Sequence, residues 1–544
     1  MADFKGISDQ IKNLANACGA SLDSTRGVKK AIFRGYTPKE GNTGRGYLAL
    51  TRGDQTDNGI YSGLSLVLFP IADNQENGKI LTIIGLGIGT GNLGEDNDLA
   101  NQPYARRLFT SLKYDAVKEV FHGLFVKNDF SDILNNNASL FDKIDELLND
   151  KTTYSTDNYK LDVEATYGKY ISAAILVDLD EDDLKNWNEK ESTSTRGLSK
   201  AAQIVVAWIA LYAKLRNWKP SASSEEKSGE NILDKFIEPL KKPSKTFDES
   251  LKEVAELLRR ENFIVLQGAP GSGKTYMANR LIENLEIKPD NVRLIQFHAE
   301  TSYVDFIGGI RPELNKDSKD VKFTYEEGIL TKIILDARKS NEKYLLIIDE
   351  INRANLANVL GETFYLFEKN TEESRKKIEI KVKNKSDGAK ASENGFYIEE
   401  NSLPNNIYVI ATMNTADKSI ATIDFALRRR FMWYNLEPIA PNIDKNYILD
   451  SDSSKLFLKN EFDKISDLFK KYASDEELDL QPGQSYFIID NNKPEIDDQP
   501  KIKDLYKYKL MPLMKEYFAA GYLKDMKDEF ANLYYEKTQE NMYR

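Results

Sequence analysis

The 544-residue chain contains one cysteine, Cys18, and two histidines, His122 and His298. A single cysteine excludes an intrachain disulfide and suits a reducing compartment. So few Cys and His residues leave no ligand set for a zinc site of the usual kind. Long apolar runs are missing too. The most apolar stretch, residues 204–213 (IVVAWIALYA), is closed off by Lys200 and Lys214. A membrane span needs about 20 such residues, so this run predicts a buried core helix and no membrane contact. The opening residues, MADFKGISDQIKN, lack the apolar core of a secretory leader, which gives the expectation of a cytoplasmic protein. Excess positive charge is also absent: 75 Lys and Arg stand against 86 Asp and Glu, a net charge of -11. The chain therefore cannot coat nucleic acid through bulk basicity, although a local basic patch is compatible with that balance.

What is present describes a folded, multidomain chain. Hydrophobic residues make up 41% and charged residues 30%, as in globular proteins, and the length suggests about three or four domains. Residues 1–218 mix signals: a helical pattern on Ile7, Ile11 and Leu14, short β-like runs at 46–51, 64–70 and 80–84, then helical periodicity over 105–124 and 198–218. This predicts an α+β domain. Residues 219–244 are assigned as a linker, on the strength of KPSASSEEKSGE at 219–230. From 245 to 440, apolar β runs at 263–267, 293–297, 344–348 and 407–413 alternate with helix-length segments, which predicts a parallel α/β core. Residues 441–544 read as helical, with one turn near 481–483.

The strongest motif is Gly268-Ala269-Pro270-Gly271-Ser272-Gly273-Lys274-Thr275, a complete GxxxxGK[ST] phosphate loop between a β run and an amphipathic helix. Gly268, Gly271, Ser272 and Gly273 let backbone N–H groups wrap a phosphate chain at a helix N-terminus. Lys274 is placed to reach the β- and γ-phosphates and Thr275 to hold Mg²⁺. Downstream, the apolar run 344–348 delivers Asp349 and Glu350 to a strand end, where α/β sheets bind ligands. Asp349 is the expected second Mg²⁺ group, and Glu350 the residue that activates water. The run 407–413 leads into Asn414-Thr415-Ala416-Asp417, where a polar side chain can hydrogen-bond the attacking water. Arg428, Arg429 and Arg430 follow a short helical segment, a position suited to presenting an arginine to a neighbouring subunit's γ-phosphate.

Other matches carry less. Asn384-Lys385-Ser386-Asp387 spells NKxD but lies in a Lys-rich stretch that reads as an inserted hairpin tip. Residues 89–94 fit GxGxxG, but the polar GEDNDLANQP that follows is a poor dinucleotide helix. Glu379-Ile380-Lys381 resembles part of a nuclease motif without its upstream acid, so no nuclease is expected in this chain. The acidic run at 178–183 lacks the spacing of a calcium loop and reads as a solvated loop. Near the start, Lys29, Lys30, Arg34 and Arg45 mingle with Phe33, Tyr36 and Tyr47, a mixture suited to phosphate contact and base stacking.

Taken together, GAPGSGKT, FHAETSYVDFIGGIRP, YLLIIDEINRAN, MNTADKS and ALRRRF resemble the AAA+ motor of the McrB family, the nucleotide-hydrolysing subunit of modification-dependent restriction systems. The similarity is strong over about 245–440 and looser over 440–530, for example at Gly483-Gln484-Ser485-Tyr486-Phe487. The resemblance implies an AAA+ P-loop NTPase core with a helical C-terminal lid, preceded by the α+β domain as the selector of DNA, which in relatives often carries a modified base. It implies Asn414 and Asp417 as the pair positioning water and the adjoining subunit, and Arg429 and Arg430 as interface arginines, with Arg430 foremost. It further implies Mg²⁺, GTP in preference to ATP, assembly into a ring, a hexamer in this family's pattern, and a separate McrC-like nuclease subunit. Lys418 departs from the family's usual arginine, keeping the charge and losing the planar fork. A remodelling ATPase of the MoxR or dynein-related kind, acting on protein complexes, is the alternative the motifs leave open.

Overall fold

The computed structural model describes residues 4–18, 31–36, 47–52, 64–88, 103–126, 138–149, 153–155, 171–180, 182–183, 198–216, 232–241, 245–314, 321–368, 377–385, 389–416, 425–440, 455–490 and 499–543. They divide between two units, Met1–Pro243 and Ser244–Arg544.

In the first unit, seven strands form an antiparallel sheet: β1 (Ala31–Tyr36), β2 (Tyr47–Arg52), β3 (Leu64–Asn74), β4 (Ile80–Ile88), β5 (Phe121–Val126), β6 (Tyr154–Ser155) and β7 (Ile171–Leu179). Their order is β1-β2-β3-β4-β7-β5, with β6 paired to the end of β3. Successive strand residues point to opposite faces, and here both faces are covered. Leu64, Leu66 and Leu68 of β3 join Ala173, Ile175 and Val177 of β7 in one core. Val67, Phe69 and Ile71 join Ala174 and Leu176 in the other. Helices Phe4–Ala17 and Lys200–Leu215 supply the first core, and Leu140, Phe141 and Ile144 of helix Ala138–Asn149 supply the second.

Helix Lys200–Leu215 contains the most apolar run, and every residue from Ile204 to Ala213 is buried. The Ser199 hydroxyl caps it by accepting the Ala202 N–H at 3.1 Å. Among the described residues, no helix is long and apolar enough to cross a membrane.

Three expectations for this unit are corrected. The helical pattern over 105–124 yields only helix Pro103–Thr110 and one short turn, Tyr114–Val117, before β5 begins. Pairing of β5 with β7 overrides the local periodicity, as partner strands commonly do. The acidic run is not simply a solvated loop, because Asp178 is buried at the end of β7. Its carboxylate accepts from Asn74 Nδ2 and Tyr154 OH and lies against His122 Nε2, each at 3.2 Å, while Asp183 pairs with Lys79 at 2.8 Å. In the second half of the expected linker, helix Ile232–Ile237 and the turn Glu238–Leu240 place Leu233, Phe236 and Leu240 in the first unit's core. The GxGxxG match at 89–94 lies outside the described residues, as do Lys29, Lys30 and Arg45.

The second unit is built around a five-stranded sheet. Its strands are β8 (Phe263–Gly268), β9 (Val292–Gln296), β12 (Tyr344–Asp349), β16 (Ile407–Asn414) and β17 (Met432–Asn435); between them lie the hairpin β10 (Gly308–Leu314) and β11 (Val321–Glu327) and a small sheet of β13 (Ile378–Val382), β14 (Lys390–Ser392) and β15 (Gly395–Glu400). The order is β17-β8-β16-β12-β9, all parallel. A parallel sheet covered on both faces reads as continuous apolar runs, which is why β12 and β16 are so apolar. Val265, Leu346, Ile348, Val409 and Ala411 face one core. Ile264, Leu266, Leu345, Ile347 and Ile410 face the other, beneath helices Phe247–Glu261 and Lys274–Asn284. β17 and the β10–β11 hairpin were not anticipated from sequence.

A third core, with Phe462, Phe469, Phe487, Tyr506, Met514 and Phe530, belongs to the C-terminal lid. Helices Lys459–Tyr472, Met511–Ala519 and Lys527–Thr538 surround it, with β18 (Lys455–Phe457) paired to β19 (Ile488–Asp490).

Candidate active site

β8 ends at Gly268, and helix Lys274–Asn284 starts six residues later in number, so the phosphate-loop sequence forms the intervening turn. Gly271 (φ 78°) and Gly273 (φ 90°) adopt positive φ, which L side chains disfavour. Such alternation turns backbone N–H groups toward one concave side. Ser272 is fully buried, and its hydroxyl oxygen has no hydrogen-bond partner among the described residues, which suits a loop shaped around an oxyanion.

Sheet order then brings the remaining groups together, since β16 lies between β8 and β12. Lys274 is buried, and its Nζ donates to Gly268 O and Ala269 O at 2.9 Å and to Asn414 Oδ1 at 2.6 Å. Asn414 Nδ2 in turn donates to Glu350 Oε1 at 2.5 Å. One polar chain thus links the loop lysine to the acid expected to act on water. Beside it, Thr275 Oγ1 stands 3.3 Å from Asp349 Oδ1. This hydroxyl–carboxylate pair is the donor set expected for Mg²⁺.

Sequence reasoning missed two participants. Thr412 accepts the Glu350 N–H at 3.1 Å and donates to Asp349 Oδ1 at 2.6 Å, fixing both acids from β16. The signal was period two on that strand, which puts Thr412 and Asn414 on one face. Arg353 Nε lies 3.4 Å from Glu350 Oε2, three residues along the chain. Glu350 itself is held at φ 56°, an uncommon conformation for a side-chain-bearing residue that recurs at functional sites.

The lid closes over the back of the loop. Thr415 donates its hydroxyl to Asp479 O at 2.8 Å, and Tyr486 packs against Gly271. Burial, reinforced by Glu516, raises the Tyr486 phenol above its ordinary pKa and keeps it neutral.

Arg429 and Arg430 end helix Phe425–Arg430, and both gather on Glu368. The Arg430 side chain is 2% exposed, ion-paired to Glu368, and lies 4.2 Å over the Phe364 ring. The Arg429 side chain is 67% exposed and reaches Glu368 at 2.8 Å. Of the two expected interface arginines, Arg430 is thus buried within its own unit, whereas Arg429 lies at the surface. Asp417 and Lys418 lie outside the described residues. Asn384 and Lys385 follow β13, and Ser386 and Asp387 fall outside the described residues.

Residues 263–431 match the family AAA domain (dynein-related subfamily). The second unit is an AAA+ domain. Across 308 residues the chain is 33% identical to the "Type IV methyl-directed restriction enzyme EcoKMcrB subunit" of Escherichia coli (strain K12), covering 55% of this chain and 61% of that protein. Across 196 residues it is 27% identical to the "Type II restriction enzyme BsuMI component YdiS" of Bacillus subtilis (strain 168), covering 32% and 56%. The chain thus spans about six-tenths of the length of the curated relatives it matches. The similarity to a McrB subunit and the AAA domain match at 263–431 agree with the McrB-family resemblance carried by the motifs.

Proposed function

We propose that this chain is a McrB-like AAA+ nucleoside triphosphatase, favouring GTP over ATP, that assembles into a ring and powers DNA restriction by a separate nuclease subunit. The first unit selects the DNA. The observation that carries the reading is the continuous chain Lys274–Asn414–Glu350 beside the Thr275–Asp349 pair, in a chain whose similar proteins include a methyl-directed restriction subunit.

In this reading the loop N–H groups and Lys274 bind the β- and γ-phosphates, with Lys274 exchanging its carbonyl partners for phosphate oxygens. Thr275 and Asp349 hold Mg²⁺, which when bound neutralises charge that builds up on the phosphates. Glu350 orients the attacking water and takes its proton. Asn414 lies between Lys274 and Glu350 and sets their separation, and Asp417 acts with it. Arg429 extends to the γ-phosphate of the adjoining subunit, and Arg430 braces the helix that presents it.

The test is steady-state hydrolysis of GTP and of ATP by the full chain, each with and without DNA carrying modified bases. GTP turnover that rises with modified DNA is expected. Lys274→Ala should lose nucleotide binding, since it removes ground-state charge, whereas Glu350→Gln should bind and fail to turn over. Turnover indifferent to any DNA and stimulated by a protein complex would transfer the chain to the remodelling ATPases. Wild-type affinity in Lys274→Ala would overturn the site assignment.

A further inference from the structure

The phosphate loop has an outer side as well as an inner one, and a lid segment occupies it. Gly483 N–H donates to Pro270 O at 3.0 Å and Ser485 N–H to Gly271 O at 3.1 Å. Between them, Gln484 Nε2 donates to Ser272 O at 2.7 Å. Three successive loop carbonyls are therefore held from one side by three successive lid residues. The fit leaves no slack: a Cβ on Gly483 would lie 2.0 Å from the Gly271 carbonyl carbon.

In a trans peptide, the carbonyl of one residue and the N–H of the next point in opposite directions. Pinning the Pro270 and Ser272 carbonyls toward the lid therefore turns the Gly271 and Gly273 N–H groups away from it, toward the concave side. The middle amide, Ser272 N–H, closes the turn onto Ala269 O at 3.2 Å. Two of the three lid donors are backbone groups, which any sequence supplies. The third is a side chain. Gln484 also accepts, at Oε1, the N–H of Ile439 at 3.4 Å, where the chain leaves β17 for the lid. A single carboxamide, which carries a donor and an acceptor at one tip, thus joins the phosphate loop to the strand–lid connection.

We propose that Gln484 is a positioning residue for the nucleoside triphosphate: it holds the Ser272 carbonyl outward, aims the Gly273 N–H at the phosphates, and ties lid placement to nucleotide binding. This rests on the reading of Gly268–Thr275 as a nucleotide site. The chemistry predicts a graded response. Gln484→Leu removes donor and acceptor. Gln484→Glu keeps the shape but sets a carboxylate against a carbonyl oxygen. Gln484→His restores one ring N–H and one acceptor nitrogen.

The experiment uses the full chain and measures equilibrium affinity for GTP and ATP, steady-state KM and kcat, and the Tm of the nucleotide-free protein. Gln484→Leu should weaken affinity roughly tenfold, the scale of one hydrogen bond, and Gln484→Glu should weaken it further. Gln484→His should stay within about threefold of wild type, a smaller fraction of one hydrogen bond. KM should move more than kcat, and the nucleotide-free Tm should stay within about 2 °C of wild type, since no large core group is removed. Wild-type affinity in both Gln484→Leu and Gln484→Glu would overturn the proposal. So would an affinity loss matched by a fall in the nucleotide-free Tm, which would mark a merely structural role. Failure of the wild-type chain to bind either nucleotide would instead overturn the underlying site, a result distinct from any variant's behaviour.

Discussion

Arg429 and Arg430 are neighbours of the same chemistry placed in opposite surroundings, and residue-scale energetics separates their roles. Breaking a buried ion pair by removing one partner costs about 3–5 kcal/mol, because the other charge stays buried. Arg430→Ala would take from Glu368, whose side chain is 18% exposed, its buried cation and leave the surface-exposed Arg429 as its remaining arginine partner, so the cost falls toward the lower end of that range. An exposed pair is worth about 0–1 kcal/mol, so Arg429→Ala should barely change stability. An arginine supplied in trans is worth about 10³–10⁵ in turnover. The expected pattern is that Arg430→Ala lowers the Tm by several degrees, whereas Arg429→Ala keeps its Tm and loses nearly all turnover. Mixing Arg429→Ala with Glu350→Gln chains should restore part of the activity, because some interfaces then pair an intact arginine with an intact acid. Absence of recovery in a verified mixed assembly would count against action in trans.

Helix Lys200–Leu215 shows how an element obtains stability from its surroundings. Polarity is nearly absent along it, so its own periodicity cannot choose a face, and the sheet and neighbouring helices enclose it instead. Trp208 is fully buried against Phe109, with ring centroids 4.4 Å apart, and its Nε1 donates to Tyr114 OH at 3.1 Å. Burial raises the Tyr114 pKa, so that hydroxyl remains a neutral partner. Tyr212 OH lies 3.0 Å from Leu50 O and 2.8 Å from Leu64 O, fastening the helix to β2 and β3. Trp208→Ala should therefore cost about 3–5 kcal/mol, as aromatic-to-alanine changes in cores do. Urea unfolding should show this as an early first-unit transition, with GTP affinity of the AAA+ unit unchanged at low urea. A cost below about 1 kcal/mol would contradict this packing.

For the whole molecule, the distribution of acids bears on what the chain can do to DNA. Hydrolysis of a phosphodiester by metal-assisted chemistry needs carboxylates converging beside the scissile phosphate. Asp349 and Glu350 are engaged with Thr275, Thr412 and Asn414 at the mouth of the phosphate loop, where a nucleotide's own phosphates belong. Glu379 and Lys381 lie on β13, a strand of the small three-stranded sheet, and Lys381 is directed over the Tyr325 ring at 5.3 Å. The expected outcome is that purified chain with Mg²⁺, GTP or ATP, and variously modified DNA leaves that DNA uncut, and that cutting requires a second polypeptide. Nucleotide-dependent cleavage by this chain, persisting after removal of any co-purifying protein, would refute the division of labour.

The nucleotide machinery was largely legible in the sequence because it depends on local order. The glycines at 271 and 273 are needed for positive φ, the apolar runs become strands of a parallel sheet, and Asp349, Glu350 and Asn414 stand at strand ends. These features fixed the AAA+ core, and the apolar run at 204–213 fixed a buried helix. What sequence could not decide depends on which strand lies beside which. Only sheet order places Asn414 between Lys274 and Glu350 and brings Thr412 against both acids. Only burial distinguishes Arg430 from Arg429, since adjacent residues of one type carry no sequence signal of which turns inward. The strand identity of 121–126 likewise came from pairing with β7, and the lid's hold on the phosphate loop from contacts about 210 residues apart in the chain, since hydrogen-bond partners so remote leave no local periodicity to read.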